Sequence, residues 1–230
     1  MNPVNSVHLD AFLYDEEGEE GLVQEGLLSR SFCQDCGSRN IEDLTFITHS
    51  CSKERLELIF CGFLPSLDGK TVIDIGSRIG AVLYGAYYYS KAAKIIGVEM
   101  NTELCRLQGE MVQMHKLEDR VQVVEGDMCN LGGLIRTGDV IILNNVFDWF
   151  MLPQLQVKMW QFLRATLATG CLVVSIPSLE ASMGPLSTGI DLATWVRPMD
   201  MFDKSLQTVS LGDSQVETSE VRLYQVIQGS

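Results

Sequence analysis

An α/β architecture is predicted by three features of this 230-residue chain. It is a seven-stranded, mostly parallel sheet with helices on both faces and an antiparallel strand at its C-terminal edge. First, short runs rich in Val, Ile and Leu recur at 71–75, 94–98, 121–124, 140–143 and 171–176. They are apolar without alternation, as in strands buried on both faces. Second, helix-patterned stretches separate them, as parallel neighbours require. Third, the chain is 46% hydrophobic, enough for a sizeable core.

Residues 1–50 form an acidic, cysteine-containing extension and residues 51–230 the main domain. In the extension, Asp15-Glu16-Glu17-Gly18-Glu19-Glu20 is a charge block with the composition of a mobile tail or a solvated turn. Cys33-Gln34-Asp35-Cys36-Gly37 has the shape of half a zinc knuckle, which needs a second half. His49 and Cys51 are the nearby candidates, and their His-x-Cys spacing is unusual. Free thiols and no metal are therefore expected.

Ser50 to Phe60 predicts a helix capped by Ser50 or Ser52, with Leu56, Ile59, Phe60 and Phe63 on one face. Pro65, Asp68 and Gly69 turn the chain into the strand Thr71–Ile75. Ala81–Lys91 is helical. Lys94–Val98 is the second strand. Asn101–His115 is an amphipathic helix capped by Asn101 or Thr102, with Leu104, Leu107, Met111 and Met114 expected to be buried. Val121–Val124 is the third strand, and Met128–Ile135 crosses back to the fourth, Val140–Leu143. Pro153–Leu167 is a long helix, with Pro153 suited to its first turn and Gly170 to its end. Cys171–Ile176 is the fifth strand, stopped by Pro177. Gln207–Leu211 and Val221–Ile227 are expected to close the sheet as an antiparallel pair.

Seventeen Lys and Arg against thirty Asp and Glu give a net charge of −13. Such a surface repels phosphates on average, so direct binding to duplex nucleic acid is not expected. No apolar run is long enough to span a membrane, and no signal peptide opens the chain. Seven cysteines form no regular framework. Reduced thiols in the cytoplasm, with the nucleus open, are the expectation.

The chemistry lies at the carboxyl ends of the strands, where sheets of this kind bind ligands. Strand one ends in Asp74-Ile75-Gly76-Ser77-Arg78-Ile79-Gly80, strand two in Gly97-Val98-Glu99-Met100 and strand three in Glu125-Gly126-Asp127-Met128. Strand four ends in Asn144-Asn145-Val146-Phe147. Gly76 permits a sharp exit, and Gly80 lets the next helix start close to the sheet. Glu99, nineteen residues after Gly80, can accept both hydroxyls of a ribose. The G-x-x-x-G spacing and the acid Asp74 disfavour a dinucleotide, whose pyrophosphate wants bare backbone. A carboxylate there suits a cationic ligand bearing an ammonium group. S-adenosylmethionine has that group, a ribose and an adenine whose amino group Asp127 can accept.

These strand ends, in this order, resemble the successive motifs of class I S-adenosylmethionine-dependent methyltransferases. The resemblance covers about residues 50–176. In flavour it is nearest to the disruptor-of-telomeric-silencing family of lysine methyltransferases without a SET domain. It implies a Rossmann-like fold and S-adenosyl-L-methionine as cofactor. The implied cofactor-binding residues are Asp74, Gly76 and Ser77 for the methionine end, Glu99 for the ribose, Asp127 with Met128 for the adenine, and also Arg78, Gly80, Met100 and Asn145. Asn144, Asn145 and Phe147 are the implied catalytic positions, with Asn145 beside the methyl and Phe147 on the acceptor channel. Arg78 stands where that family has glycine, and the family's lysine-rich nucleosome-binding segments are absent.

A protein side chain, lysine foremost, is the expected methyl acceptor ahead of a small molecule. Oligomeric state stays open. A methyltransferase-fold binding protein without catalysis is the alternative, favoured by Arg78. A nicotinamide enzyme is a third reading, set back by the glycine spacing.

Overall fold

The computed structural model describes residues 8–9, 15–25, 27, 31–33, 41–43, 48–49, 51–147, 151–202 and 221–228. The chain divides into two compact units, residues 1–53 and 54–230. In the first, the acidic block forms a helix, Glu16–Gln24, rather than a tail or a turn. Asp15 caps it by accepting from the Gly18 amide at 2.8 Å, and acids in the first turn complement the helix dipole. Ser31–Cys33 pairs antiparallel with Ile41–Asp43, and His8–Leu9 pairs parallel with Thr48–His49. Cys36, half of the proposed cysteine pair, lies outside the described residues. Among the described residues no group of three or more His, Cys, Asp or Glu side chains could hold a metal ion.

The second unit is built on seven strands: β1 Thr71–Ile75, β2 Lys94–Glu99, β3 Val121–Glu125, β4 Val140–Asn144, β5 Leu172–Ile176, β6 Val196–Met199 and β7 Arg222–Val226. Their order across the sheet is β6-β7-β5-β4-β1-β2-β3. The strands β5, β4, β1, β2 and β3 run parallel, and β7 runs antiparallel to both β5 and β6. The C-terminal strand is thus antiparallel, as expected, but lies one place in from the edge. Its edge partner is Val196–Met199, and Gln207–Leu211 lies outside the described residues. Pro198 hides this partner in the sequence, because a proline is tolerated in a strand whose other side faces no neighbour.

The crossovers are helical. Helix α1, Lys53–Glu57, runs on into a π-helical turn at Leu58–Phe63. It is followed by α2 Ala81–Tyr89, α3 Thr102–Met114, α4 Gly132–Ile135, α5 Pro153–Thr166, α6 Leu179–Met183 and α7 Leu192–Trp195. A Cβ on Gly85 of α2 would lie 2.9 Å from a methyl carbon of Leu56, so glycine allows the two helices their close approach. Among the described residues no helix is long and apolar enough to cross a membrane.

Ile73, Ile96, Ile141 and Val173 of adjacent strands are buried in one core with Trp160 and Leu163 of α5. At the amino ends of β1 and β4, Asp139 accepts from the Thr71 amide at 2.8 Å and from Lys70 at 2.9 Å. From β1 the chain winds outward to β3 and then returns to β4 on the other side of β1. The crevice at this reversal, beyond the carboxyl ends of β1 and β4, is where open sheets of this type place ligands.

Candidate functional site

The exit from β1 is a turn with three residues at positive φ: Gly76 at 76°, Arg78 at 52° and Gly80 at 89°. The Gly76 and Ser77 amides both donate to the Val98 carbonyl of β2, at 2.8 and 3.1 Å, and the Gly80 amide closes the turn on the Ser77 carbonyl at 2.8 Å. Glycine adopts this left-handed region freely. Arg78 adopts it at a steric cost.

Asp74, one residue before the end of β1, is only 3% exposed. Burial pushes its carboxyl well above the usual carboxylate range, the Glu99 carboxylate adds to that, and the Arg78 guanidinium offsets part of it. Arg78 is itself lowered by burial and held up by Glu99 and then Asp74. Two acids and one cation therefore share this end of the crevice.

Glu99 closes β2. Its Oε1 accepts from the Met100 and Asn101 amides, each at 2.9 Å, and its Oε2 accepts from the Arg78 amide at 3.0 Å. A carboxylate offers about four acceptor sites, so roughly one is left, on Oε2. Glu99 is thus a fixed, partly engaged carboxylate. Met100 contributes its amide to Glu99 while its side chain is exposed.

Asp127 follows β3, and its Oδ1 accepts from the Cys129 amide at 2.8 Å. The Gly126 amide donates to the Glu99 carbonyl at 2.8 Å, which ties this strand end to the previous one. Met128 is buried in the core.

After β4, Asn145 sits at φ 51°, and its amide donates to the Ile176 carbonyl of β5 at 2.6 Å. Its side-chain oxygen, Oδ1, is buried with no hydrogen-bond partner. A buried acceptor without a donor is costly and marks a place where a ligand can supply one. Val146 leans over Gly76: a Cβ on that glycine would meet Val146 Cγ1 at 3.3 Å. The β1 and β4 turns thus face each other across the crevice. Asn144 is half-buried at the strand end, in register with Ile176.

The structure therefore brings Asp74, Gly76, Arg78, Gly80, Glu99 and Asn145 together, with Asp127 at the neighbouring strand end. Three side chains point elsewhere, one being Met128 in the core. Phe147 is 2% exposed and packs edge-on against Trp160, with ring centroids 5.0 Å apart, so it lines the core and not an acceptor channel. The Ser77 hydroxyl turns away to donate to Gln108 Oε1 of α3 at 2.8 Å. Asp148, Trp149 and Phe150, which follow this motif in sequence, lie outside the described residues.

The sequence reading missed Gln108 and Tyr84. The Tyr84 hydroxyl donates to the Ile79 carbonyl at 2.8 Å and covers Gly80. A polar residue on a helix's buried face is the signal that would have exposed Gln108, and it is legible only once the face is known.

No family model matches the sequence, and no curated protein matches it. Solved structures do. A provisionally named rRNA-methylase from Clostridium thermocellum aligns with a TM-score of 0.51 at 12% identity, covering 76% of this chain and 94% of that one. An RNA methyltransferase from Salinibacter ruber, solved with S-adenosyl-L-homocysteine, gives 0.46 at 18% identity, over 76% and 88% of the chains. A precorrin 8W decarboxylase from Methanobacterium thermoautotrophicum gives 0.48 at 21% identity, over 65% and 76%. The structure among these with a TM-score above 0.5 is named for rRNA and not for protein. The expectation of a protein acceptor with nucleic acid set aside is corrected on that finding. The finer resemblance to the disruptor-of-telomeric-silencing family finds no support among these neighbours. The fold of the second unit is that of the class I S-adenosylmethionine-dependent methyltransferases.

Proposed function

We propose that the chain binds S-adenosylmethionine in the crevice beyond β1, β2 and β4 and transfers its methyl group to an acceptor. The observation that carries this is the pair of buried acids, Asp74 and Glu99, at adjacent strand ends on a methyltransferase fold. Two acids beside a single cation at these strand ends suit a ligand bearing an ammonium group better than a dinucleotide's pyrophosphate. The residues fit that donor: Asp74 would face its ammonium group, the free acceptor site of Glu99 one ribose hydroxyl, and Asp127 the adenine amino group. Gly76, Arg78 and Gly80 would form the backbone cradle.

When bound, the donor supplies a methyl group already activated on a sulfonium. The chain then has to align the acceptor and exclude water. Asn145 would serve the first: its unpartnered Oδ1 would accept an N–H of a neutral amine acceptor and leave the nitrogen lone pair toward the methyl, the methylated nitrogen then releasing its extra proton to solvent. Val146, leaning over Gly76, closes the crevice from the β4 side. The acceptor classes to try first are RNA and small molecules, and residues 51–230 are the unit we assign to the activity.

Thermal denaturation tests donor binding. A ligand that binds only the folded state stabilises it by about 2.7 kcal/mol at a hundredfold excess over Kd. S-adenosylmethionine and S-adenosylhomocysteine should both raise the melting temperature, and NAD should not. Silence from both adenosyl compounds rejects the proposal. Glu99→Ala should abolish the shift. Incubation with labelled donor and separate RNA and small-molecule fractions then distinguishes catalysis from a second reading, donor binding without transfer. The observation favouring that reading is Arg78, whose cation shares the crevice with both acids.

A further inference from the structure

We infer that Gln108 of α3 is the positioning residue of the 76–80 turn, seating it through Ser77 and thereby setting the affinity of the crevice for the methyl donor. The inference rests on the donor-binding reading above and adds a residue to it.

Gln108 has no exposed surface. A fully buried amide must find partners, and the ones it finds are specific. Its Oε1 accepts from the Ser77 hydroxyl at 2.8 Å, whereas its Nε2 reaches the Leu104 carbonyl only at 3.4 Å. The strong bond is the one to the turn. The same side chain also touches the far end of the turn, since Gln108 Cγ lies 3.4 Å from where a Cβ on Gly80 would stand.

Ser77 is seated just as closely from below. A Cβ on Gly97 of β2 would come within 2.7 Å of Ser77 Oγ, so the absence of a side chain at Gly97 is what admits the hydroxyl. Ser77 is 5% exposed, and its proton is committed to Gln108. It therefore serves as the peg of the turn and is not a hydrogen-bond donor to a ligand.

The turn needs such a hold. Three of its five residues have positive φ, and Arg78 pays a steric cost for its own. Its amides bond to β2, through Val98 and Glu99. The Ser77–Gln108 bond fixes the remaining freedom, which is how far the turn sits from α3. Donor groups that must meet Asp74, Glu99 and the Gly76 backbone at once depend on that distance.

Ser77→Ala, Gln108→Met and the double variant, made in the full chain, test this. Two readouts apply: titration with S-adenosylhomocysteine, and hydrogen exchange of the Arg78 and Gly80 amides without ligand. Each single variant should weaken binding on the order of tenfold, because it leaves one buried polar group unpaired. Each should also speed exchange at the turn while leaving β5 protected. The double variant should bind no worse than the weaker single, since removing both partners leaves nothing unsatisfied. Multiplying losses in the double variant would overturn the inference. So would a Gln108→Met protein that melts lower yet keeps its affinity and its turn exchange. Should the wild-type chain bind no donor, the functional proposal falls by itself, and exchange at Arg78 and Gly80 still decides the role of Gln108.

Discussion

Asp74 lies one residue before the end of a central strand, with 3% of its surface exposed and with Glu99 and Arg78 as charged neighbours. Its folded carboxyl holds a proton to higher pH than an unfolded aspartate, which titrates near pH ~3.9. Above that pH the folded state binds more protons than the unfolded one, so this residue makes stability fall as pH rises. Asp74→Asn removes the effect. The variant should melt a few degrees above the wild type at neutral pH, and the gap should close as pH falls toward about 4. Equal melting temperatures at pH 7 would show that Asp74 ionises without penalty. Gly80 gives a second test. At φ 89° its added Cβ would also stand 2.8 Å from the Tyr84 hydroxyl oxygen. Gly80→Ala should destabilise by roughly 2–3 kcal/mol in urea unfolding, combining left-handed strain with the loss of the Tyr84–Ile79 bond. At this scale the sequence showed which residues gather, because strand ends on a parallel sheet face one crevice. It did not show where side chains point. Ser77 and Phe147 sit in motif positions, yet one is drawn to Gln108 and the other to Trp160.

Helix α3 shows the same limit one level up. Its ends were legible: Asn101 caps it, accepting from the Glu103 and Leu104 amides at 2.9 and 3.1 Å. Its buried face was not. The apolar spacing favoured Leu104, Leu107, Met111 and Met114, but the buried residues are Cys105, Gln108 and Val112. Met114 is 70% exposed. Periodicity counts apolar residues, and here a glutamine bonded to Ser77 occupies the inner face instead. Val112→Ala should therefore cost about 1–3 kcal/mol in urea unfolding, and Met114→Lys should change stability by less than about 0.5 kcal/mol. The reverse order would restore the face that periodicity favours. Strands followed the opposite rule. β1 matches its expected bounds, Thr71–Ile75, because Val72, Ile73 and Ile75 make it a mostly apolar run of the kind buried on both faces. β6 escaped notice because an edge strand tolerates Arg197 and Pro198.

Across the whole molecule, what the sequence conveyed was the layered sheet, since that depends on apolar runs and on the order of crossovers, and the methyl donor is the reading proposed for its strand ends. The acceptor was beyond it. A protein acceptor was inferred from net acidity and a motif flavour, and neither is a contact. The division of the chain yields the last prediction. The buried apolar core runs from Cys51 to Val226. All seven strands of the sheet fall in that span, as do Asp74, Glu99, Asp127 and Asn145. Each strand of β5, β4, β1, β2 and β3 also finds its hydrogen-bonding partners within it. A core and a sheet complete in themselves are what independent folding requires. Residues 51–230 alone should therefore unfold in one cooperative step and keep the full melting shift with S-adenosylhomocysteine. A shortened chain that folds cooperatively but gives no shift, beside a full chain that does, would place part of the donor site in residues 1–50 and refute the assignment of binding to the sheet's strand ends alone.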